Sequence, residues 1–503
     1  IVEPLNEDDV RRAANFLSDE GVEAVAVCFI NSFINDTHER RVCEILEQEF
    51  PQLLVTASID VLPEIKEYER TSTTVVNAYL LKQLRGYLER LTERLRESGL
   101  RASMRVVTSQ GGMITMDVAA QRPVFVVGSG PAGGVIGAAR LANALAVTDA
   151  IVFDMGGTTA KASLVESGKP SVTTEYEFRD GISAPSRFVK GGGYMLKVPA
   201  IDIAEVGAGG GSIAWIDSGG LLRVGPRSAG ADPGPACYGR GSEDATVTDA
   251  NVYLGFLNSR GLAGGSIAIT PELSEAAVVN RIAEPLGISV ADAAHGIRRI
   301  ANLEMARAIR SVTIERGKDP RAMTLMTAGG GGPVHAVEVA EVLGIRRVIV
   351  TPFSGVFCSL GMLSADVEHS FVRTVMLPME RLDLGRLNAH AQALRDEGHR
   401  RMIEEGFSDD AVVYEYSLDV RYVGQSSELM LPYVLNTPMN VVRQHYLDTY
   451  KRLYDHTTDE ALEVVNIRLV ARARHANGFD FRDLRSDNAR VTRTIGERLV
   501  SFN

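Results

Sequence analysis

Ile-Val-Phe-Asp-Met-Gly-Gly-Thr-Thr-Ala-Lys, residues 151–161, is the stretch that decides the fold. An apolar run ends at an acid, a glycine turn follows, and a second apolar run starts at Ala162, so the pattern predicts a strand, a turn and a strand. Glycines and threonines at Gly156–Thr159 let backbone N–H groups and hydroxyls approach a phosphate. Asp154, at the strand end, suits a magnesium ion. An ordinary hairpin turn remains the alternative for this stretch taken alone.

The composition is typical of a large globular protein. The chain has 503 residues, 45% of them hydrophobic and 23% charged, which implies several domains and an ample core. A formal net charge of −11 argues against a nucleic-acid-binding surface. The four cysteines form no close pair, so neither a zinc site nor a disulfide framework is indicated. No apolar run is long enough to span a membrane and no signal peptide is recognisable, so we expect a cytoplasmic protein.

A second constellation is the glycine run Gly329–Gly332. It lies between a predicted strand, 324–327, and a predicted helix, 334–343, with Pro333 at the first turn. Four successive glycines admit a flat ligand against bare backbone, and a helix N-terminus favours an anion. A tight crossover is the alternative, and we favour the ligand interpretation.

The middle of the chain, about 170–290, is rich in loops of small residues. One of them, Gly207–Ser212, contains four glycines that would let backbone approach a substrate, although such loops also simply make turns. Asp249 is a candidate catalytic carboxylate. The alternative is that it caps the helical segment 250–257.

A dinucleotide fingerprint is the main rival to phosphate binding at the hairpin. Residues Gly128–Gly133 have the form G-x-G-x-x-G, and Asp154 follows about 20 residues on. A nicotinamide-binding unit would need a crossover helix after Asp154, whereas the sequence there predicts a hairpin. This weakens the oxidoreductase interpretation without removing it.

Strand–helix–strand patterns occur near 24–58 and again near 324–351. The second is preceded by the hairpin and by a long predicted helix, about 291–315. Two such halves are typical of actin-like ATPases. The first half lacks an opening hairpin, so we expect one phosphate-binding segment to be missing.

The sequence resembles the hydantoinase A/5-oxoprolinase family, a branch of the actin-like ATPase superfamily. The matching blocks are Glu67–Thr74 with Asn77–Tyr79, Ser129–Gly134, Asp154–Thr158, Gly207–Ser212, Pro233–Gly239, Thr248–Asn251, Gly330–Pro333 with His335-Ala336, and Arg421–Gln425. One departure is that Ala160-Lys161 stand where many members have Thr-Asp. Lys161 therefore places a cation near the expected phosphates, where it either compensates charge on ATP or points to solvent.

The resemblance implies an α/β protein with an actin-like, ribonuclease H-like, two-lobed ATPase fold whose first lobe is incomplete. The expected parts are residues 1–122 for the first lobe, residues 123–368 for the second lobe with its glycine-rich insertion, and residues 369–503 for a C-terminal α+β domain and tail.

The resemblance also implies an enzyme that uses ATP and Mg²⁺ to hydrolyse a cyclic amide of hydantoin, oxoproline or lactam type through phosphoryl activation. An ATP-dependent ketone carboxylase is the alternative, and an inactive scaffold subunit is a remoter one. We expect a hydantoinase B-type partner subunit or domain and an oligomer. Because the opening segment is missing, we expect this chain alone to be weakly active or inactive.

The expected site residues fall into three groups. Asp154 is assigned to Mg²⁺ and catalysis, and Asp249 to catalysis. The expected nucleotide-binding residues are Gly156, Gly157, Thr158, Thr159, Lys161, Gly329, Gly330, Gly331 and Gly332, and the expected substrate-side residues are Gly209, Gly210 and Gly211. The hypothesis requires the Asp154 hairpin and the glycine run to lie at one cleft.

Overall fold

The computed structural model describes residues 1, 3–179, 182–185, 193–259, 261–474, 479–484 and 497–502. The chain divides into two compact units. Unit 1 comprises residues 1–127, 194–198 and 365–478, and unit 2 comprises residues 128–193, 199–364 and 479–503. The three-part division expected from the sequence stays a prediction, although the residues from 369 to 478 pack in the same unit as residues 1–127.

Unit 1 combines a small parallel pair of strands with a larger mixed sheet. Its α-helices are Glu7–Asp19, Thr37–Glu49, Ser58–Val61, Glu67–Glu97, Met116–Gln121, Leu384–Glu404 and Met439–Tyr454. Its strands are Ala24–Val27, Leu54–Ala57, Arg105–Val107, Met113–Thr115, Tyr194–Leu196, Val367–Pro378, Val412–Tyr422, Leu429–Tyr433 and Leu462–Ala473. The first two strands pair in parallel, as the strand–helix–strand pattern predicted.

Local sequence explains the first helices of unit 1. The Asn6 side chain accepts hydrogen bonds from the amides of Asp8 and Asp9 and so caps the start of the helix Glu7–Asp19. The helix Glu67–Glu97 includes the polar stretch Glu67–Thr74 in its first turns. Its apolar stripe packs against both strands of the parallel pair, and this packing outweighs the weak helix propensity of the threonines.

Unit 2 is built on a mixed sheet with helices on both faces. Its α-helices are Ser129–Ala144, Val247–Tyr253, Pro271–Val278, Glu284–Leu286, Val290–Val312, Gly332–Leu343 and Phe357–Leu363. Its strands are Ala150–Met155, Ala160–Glu166, Lys169–Pro170, Val172–Thr173, Tyr176–Arg179, Ile182–Pro185, Ala200–Ile201, Ile203–Val206, Ser212–Ile216, Leu222–Ser228, Thr324–Ala328 and Arg347–Val350.

The central sheet of unit 2 has the order 203–206, 160–166, 150–155, 324–328, 347–350. The first three of these strands pair antiparallel, and the last three pair parallel. Strand 150–155 carries apolar side chains on both faces: Ile151 and Phe153 belong to one buried cluster, and Val152 to another. A central strand covered by helices on both sides is expected to be a continuous apolar run, and the apolar run before Asp154 predicted this strand.

The G-x-G-x-x-G stretch does not form a dinucleotide-binding turn. Residues Pro123–Val126 form a 3-10 turn rather than the required strand; Gly128 caps the helix Ser129–Ala144, and Gly130 and Gly133 lie inside it. A side chain on Gly133 would meet Met362, and one on Gly137 would meet the backbone of Gly361. These glycines therefore let two helices pack closely, and the nicotinamide interpretation was wrong.

Candidate functional site

The hairpin around Asp154 forms as the sequence predicted. Strand Ala150–Met155 pairs antiparallel with Ala160–Glu166, and the turn between them is exposed at Gly156, Gly157 and Thr158. The Gly156 N–H donates to the carbonyl of Thr159 at 3.1 Å, which closes the turn. Among the described residues, no acceptor pairs with the amides of Gly157 and Thr158. The turn thus offers two free N–H donors to solvent, which suits an anion.

The structure brings the glycine run to Asp154. Strand Thr324–Ala328 lies parallel to the first hairpin strand, with Ala328 in register with Asp154. The next residue, Gly329, has φ +78°, and any side chain on it would collide with the Asp154 carboxylate and the Met155 carbonyl. The Gly331 N–H donates to that Met155 carbonyl at 3.0 Å. The two constellations therefore meet at the carboxyl ends of two neighbouring parallel strands.

The four glycines of the run do different things. Gly329 allows the close approach to Asp154, and its N–H donates to Ser354 O at 2.8 Å. Gly331 and Gly332 avoid contact with the side chains of Met155 and Thr327, respectively. Gly330 is exposed with open space around it, so its backbone is the part of the run that a ligand can reach.

Lys161 lies in a row of charges across three strands. It is in register with Asp154 on one side and with Glu205 on the other, so the three side chains share one face of the sheet. Its Nζ lies 2.9 Å from Glu205 Oε1 and 2.5 Å from the Thr159 hydroxyl oxygen. The ammonium is therefore held beside the turn by an ion pair, a partner that the sequence did not indicate.

The loop Gly209–Gly211 packs against the hairpin turn. The Gly210 N–H donates to Gly156 O at 3.1 Å, and the Gly211 N–H donates to Gly157 O at 2.6 Å. A side chain on Gly209 would lie 2.7 Å from the Gly157 carbonyl, so only glycine fits. The amides of this loop therefore hold the turn in place by hydrogen bonds to its carbonyl groups.

Asp249 is fully buried, and its contacts are those of the capping alternative. Its Oδ2 accepts from the Thr246 hydroxyl at 2.6 Å and from the amides of Thr246 and Ala236, while Oδ1 accepts from the Cys237 amide at 2.9 Å and the Ser274 hydroxyl at 3.0 Å. Thr246 and Asp249 form a capping box at the start of helix Val247–Tyr253. Both carboxylate oxygens are therefore engaged in hydrogen bonds within the protein.

Cys358 touches the site and was missed by the sequence analysis. Its Sγ donates to Asp154 Oδ2 at 3.4 Å, and burial together with the Asp154 charge raises the pKa of the thiol to about 12. The thiol therefore stays protonated at neutral pH and can act as a donor to the carboxylate. The two residues are 204 positions apart, so no local pattern could have linked them.

A buried ring of hydrogen bonds holds the helix that follows the glycine run. His335 Nε2 lies 2.9 Å from Asn251 Nδ2, and its Nδ1 lies 2.6 Å from Asn302 Oδ1. Asn302 then donates to Glu338, and Arg298 donates to both Glu338 and Asn251. Burial and the neighbouring Arg298 lower the pKa of His335 to about 3. The neutral histidine thus ties three helices together at the base of the run.

Comparison with known proteins bears on this arrangement. The sequence profile of the hydantoinase/oxoprolinase family matches residues 70–371, and the profile of that family's N-terminal region matches residues 1–50. The chain belongs to the hydantoinase/oxoprolinase family. The resemblance found in the sequence is confirmed.

Two relatives and one solved structure illustrate the family. The caprolactamase subunit alpha of Pseudomonas jessenii is 36% identical over 94% of this chain and 67% of its own length. The acetophenone carboxylase gamma subunit of Aromatoleum aromaticum is 34% identical over 84% of this chain and 58% of its own length. The crystal structure of the ATP-dependent caprolactamase from Pseudomonas jessenii matches with a TM-score of 0.79 and 35% identity, over 95% of this chain and 68% of that one. The α/β fold class is confirmed, and the chain spans about two thirds or less of these relatives.

The described part of the chain has no helix that is both long and apolar enough to cross a bilayer.

Proposed function

We propose that the chain is the A-type, ATP-binding part of an enzyme that hydrolyses a cyclic amide of hydantoin, oxoproline or lactam type. The observation that carries this proposal is the contact between Gly329 and Asp154, which joins an exposed turn with free amides to an exposed glycine backbone. The similarity to an ATP-dependent caprolactamase supports the choice of reaction.

Unit 2 is, in this proposal, the second lobe of an actin-like ATPase. An antiparallel hairpin followed by two parallel strands, with helices on both faces, is the arrangement that such a lobe requires. Residues 1–122 belong to the first lobe, and residues 369–503 form a C-terminal domain.

The residues at the hairpin fit Mg²⁺. The described residues contain no group of three or more His, Cys, Asp or Glu side chains that could hold a metal by themselves. Magnesium is typically held by one or two carboxylates together with substrate phosphates and water, and Asp154 supplies one such carboxylate. The bound ion would neutralise charge on the phosphates. Asp154 would hold it, and the Cys358 thiol would orient Asp154.

The other residues of the site bind and position. The free amides of Gly157 and Thr158 hold phosphate oxygens, Lys161 adds positive charge beside them, and the backbone at Gly330 lies against the nucleoside. In phosphoryl transfer most of the catalysis is positioning and charge stabilisation, which is what this set supplies. Gly209–Gly211 keep the turn in place on the substrate side. Asp249 is a positioning residue that fixes the loop from Ala236.

The substrate is activated when its amide carbonyl oxygen receives the γ-phosphoryl group and ADP leaves. Attack of a first water on the activated carbon then breaks the ring C–N bond, so that the nitrogen leaves as the amine and the carbonyl carbon remains as an acyl phosphate. A second water hydrolyses the acyl phosphate to the carboxylate and releases phosphate. We assign both hydrolytic steps to a hydantoinase B-type partner subunit or domain in a cytoplasmic oligomer. The chain on its own is expected to bind nucleotide weakly and to turn over little.

A ketone carboxylase is the second candidate, and the similarity to an acetophenone carboxylase subunit favours it specifically. The test is to pair the chain with its B-type subunit and measure ATP hydrolysis. Stimulation by caprolactam, hydantoin or 5-oxoproline supports the amide hydrolase, whereas stimulation by acetone or acetophenone with bicarbonate supports the carboxylase. If neither class of substrate stimulates ATP hydrolysis although MgATP binds tightly, a scaffold subunit is favoured.

A further inference from the structure

Arg70, in unit 1, is a buried cation with unused donors. It lies in the second turn of the helix Glu67–Glu97, and it is 1% exposed. Its Nη2 donates to the carbonyl of Phe29 at 2.6 Å. Its Nε and Nη1 atoms have no hydrogen-bond partner among the described residues. The guanidinium therefore carries buried N–H groups that no described residue accepts from.

Within the described part of the chain, no carboxylate accepts a hydrogen bond from Nε or Nη1 of Arg70. The nearby Glu39 is itself fully buried, and it accepts hydrogen bonds from the amides of Phe29 at 2.7 Å and Ile59 at 3.2 Å and from the Ser58 hydroxyl at 2.7 Å. Leaving a buried charged donor unpaired is costly, and native structures retain such groups where they serve another purpose. The arrangement of Arg70 therefore needs an explanation beyond packing.

The surroundings of Arg70 point to an anion. The residue before the helix, Lys66, has φ +87° and its side chain does not cap the helix, so the first-turn amides keep their partial positive charge. Helical side chains lean towards the N-terminus, which directs Arg70 towards that same end. The guanidinium carbon of Arg70 lies over the ring of Phe33, 5.5 Å from the ring centroid. The remaining N–H groups therefore point outward in the plane of the guanidinium, which is the geometry in which a guanidinium binds an oxyanion.

We infer that Arg70 binds an oxyanion, a carboxylate or a phosphoryl group, at the N-terminal end of this helix. The segment 28–36, which supplies Phe29 and Phe33 beside Arg70, forms neither helix nor strand. Its turn hydrogen bonds and the contacts of Phe29 with Glu39 and Arg70 hold it in place, and an anion would reach Arg70 by local opening of this segment. Its apolar residues Ile30 and Ile34 already face solvent. This inference does not rest on the proposed function.

The test uses the complete chain of 503 residues and two simple anions. Isothermal titration at constant ionic strength measures the dissociation constants of inorganic phosphate and of acetate for the wild type, Arg70→Met and Arg70→Lys. The expected result is that at least one anion binds about tenfold or more weakly to Arg70→Met, because a charge-assisted hydrogen bond is lost. Arg70→Lys keeps the positive charge but loses the paired N–H donors of the guanidinium, so it should also bind the anion more weakly. It serves as the test variant if Arg70→Met does not fold.

The matched control is Arg85→Met on the same helix, where the arginine is exposed and paired with Glu89. It should keep the wild-type constants. Phosphate held at the Gly156–Thr159 turn would be indifferent to Arg70, so dependence on Arg70 identifies the site. A preference for acetate identifies a carboxylate ligand, and a preference for phosphate a phosphoryl ligand. Wild-type constants in both Arg70 variants, or no binding of either anion to the wild type, would overturn the inference.

Discussion

The Nδ1 atom of His335 lies 2.6 Å from Oδ1 of Asn302, and this contact settles which ring nitrogen carries the proton. Because Asn302 presents an oxygen, Nδ1 must donate. Nε2 then accepts from Asn251, whose own oxygen is occupied by Arg298. The ring of hydrogen bonds is therefore consistent in direction only with a neutral histidine.

This arrangement predicts a stability that falls in mild acid. The pKa of His335 is about 3 in the folded protein, against 6.5 for an ordinary histidine. Below pH 6.5 this histidine is therefore protonated in the unfolded chain but stays neutral in the folded chain. The contribution is fully present above pH 6.5 and is lost as pH falls towards 3, at up to about 1.4 kcal/mol per pH unit. Urea unfolding at a series of pH values between 7 and about 4 measures the slope.

His335→Gln is the control for this prediction, because it removes the titration while keeping an amide that can bond in the buried ring. The variant should be less stable at neutral pH by about 1–3 kcal/mol. The difference between wild type and variant should shrink steadily as pH falls, since carboxylate titration is common to both. A difference that stays constant from pH 7 to pH 4 would contradict the assignment of His335.

The elements at this site were predictable where a pattern was local. The apolar run before Asp154, the turn glycines and the run Gly329–Gly332 each carry their structure in consecutive residues, and their meeting follows from the parallel pairing of strands. Cys358 and the Lys161–Glu205 pair could not be foreseen, because each depends on which strand or helix packs beside another.

The errors have a physical origin as well. The glycines from Gly128 to Gly133 have the spacing of a phosphate-binding loop. Small residues at helical spacing also let two helices pack closely, and the packing against Gly361 shows that this is their role here. Asp249 presented two alternatives in sequence. Its five hydrogen bonds come partly from Cys237 and Ser274, which tertiary structure brings to it.

Two neighbouring glycines should separate folding from binding. Gly329→Ala places a side chain at φ +78° against the Asp154 carboxylate. It should lower the free energy of unfolding by about 2 kcal/mol or more and should also abolish ATP binding. Gly330→Ala meets open space at an ordinary φ and should fold as well as the wild type. It should nevertheless bind ATP about tenfold more weakly, since a methyl group would stand where we propose that the nucleoside binds. Thermal unfolding and calorimetric titration measure the two effects; unchanged ATP affinity in Gly330→Ala would remove the run from the site.

Glu205 is expected to compete with ATP for Lys161. Because the ammonium is held at 2.9 Å from Glu205, the variant Glu205→Gln should free it for phosphate and tighten ATP binding several-fold. Lys161→Met should weaken binding, and the double variant should lack the gain seen in Glu205→Gln. Equal effects of Glu205→Gln in the presence and absence of Lys161 would mean that the ammonium does not reach the nucleotide.

Asp154→Asn should separate metal binding from fold stability. The carboxylate is partly exposed and accepts from the Cys358 thiol, a contact that an amide oxygen can keep, so the melting temperature should change little. MgATP affinity should fall about tenfold or more, whereas binding of ATP with EDTA should be unaffected, because the loss concerns the ion that the charge would hold. Glu341→Gln, an exposed acid on the helix after the glycine run, is the matched charge control and should behave as the wild type. Equal weakening with and without magnesium would show that Asp154 contacts the nucleotide directly rather than through a metal.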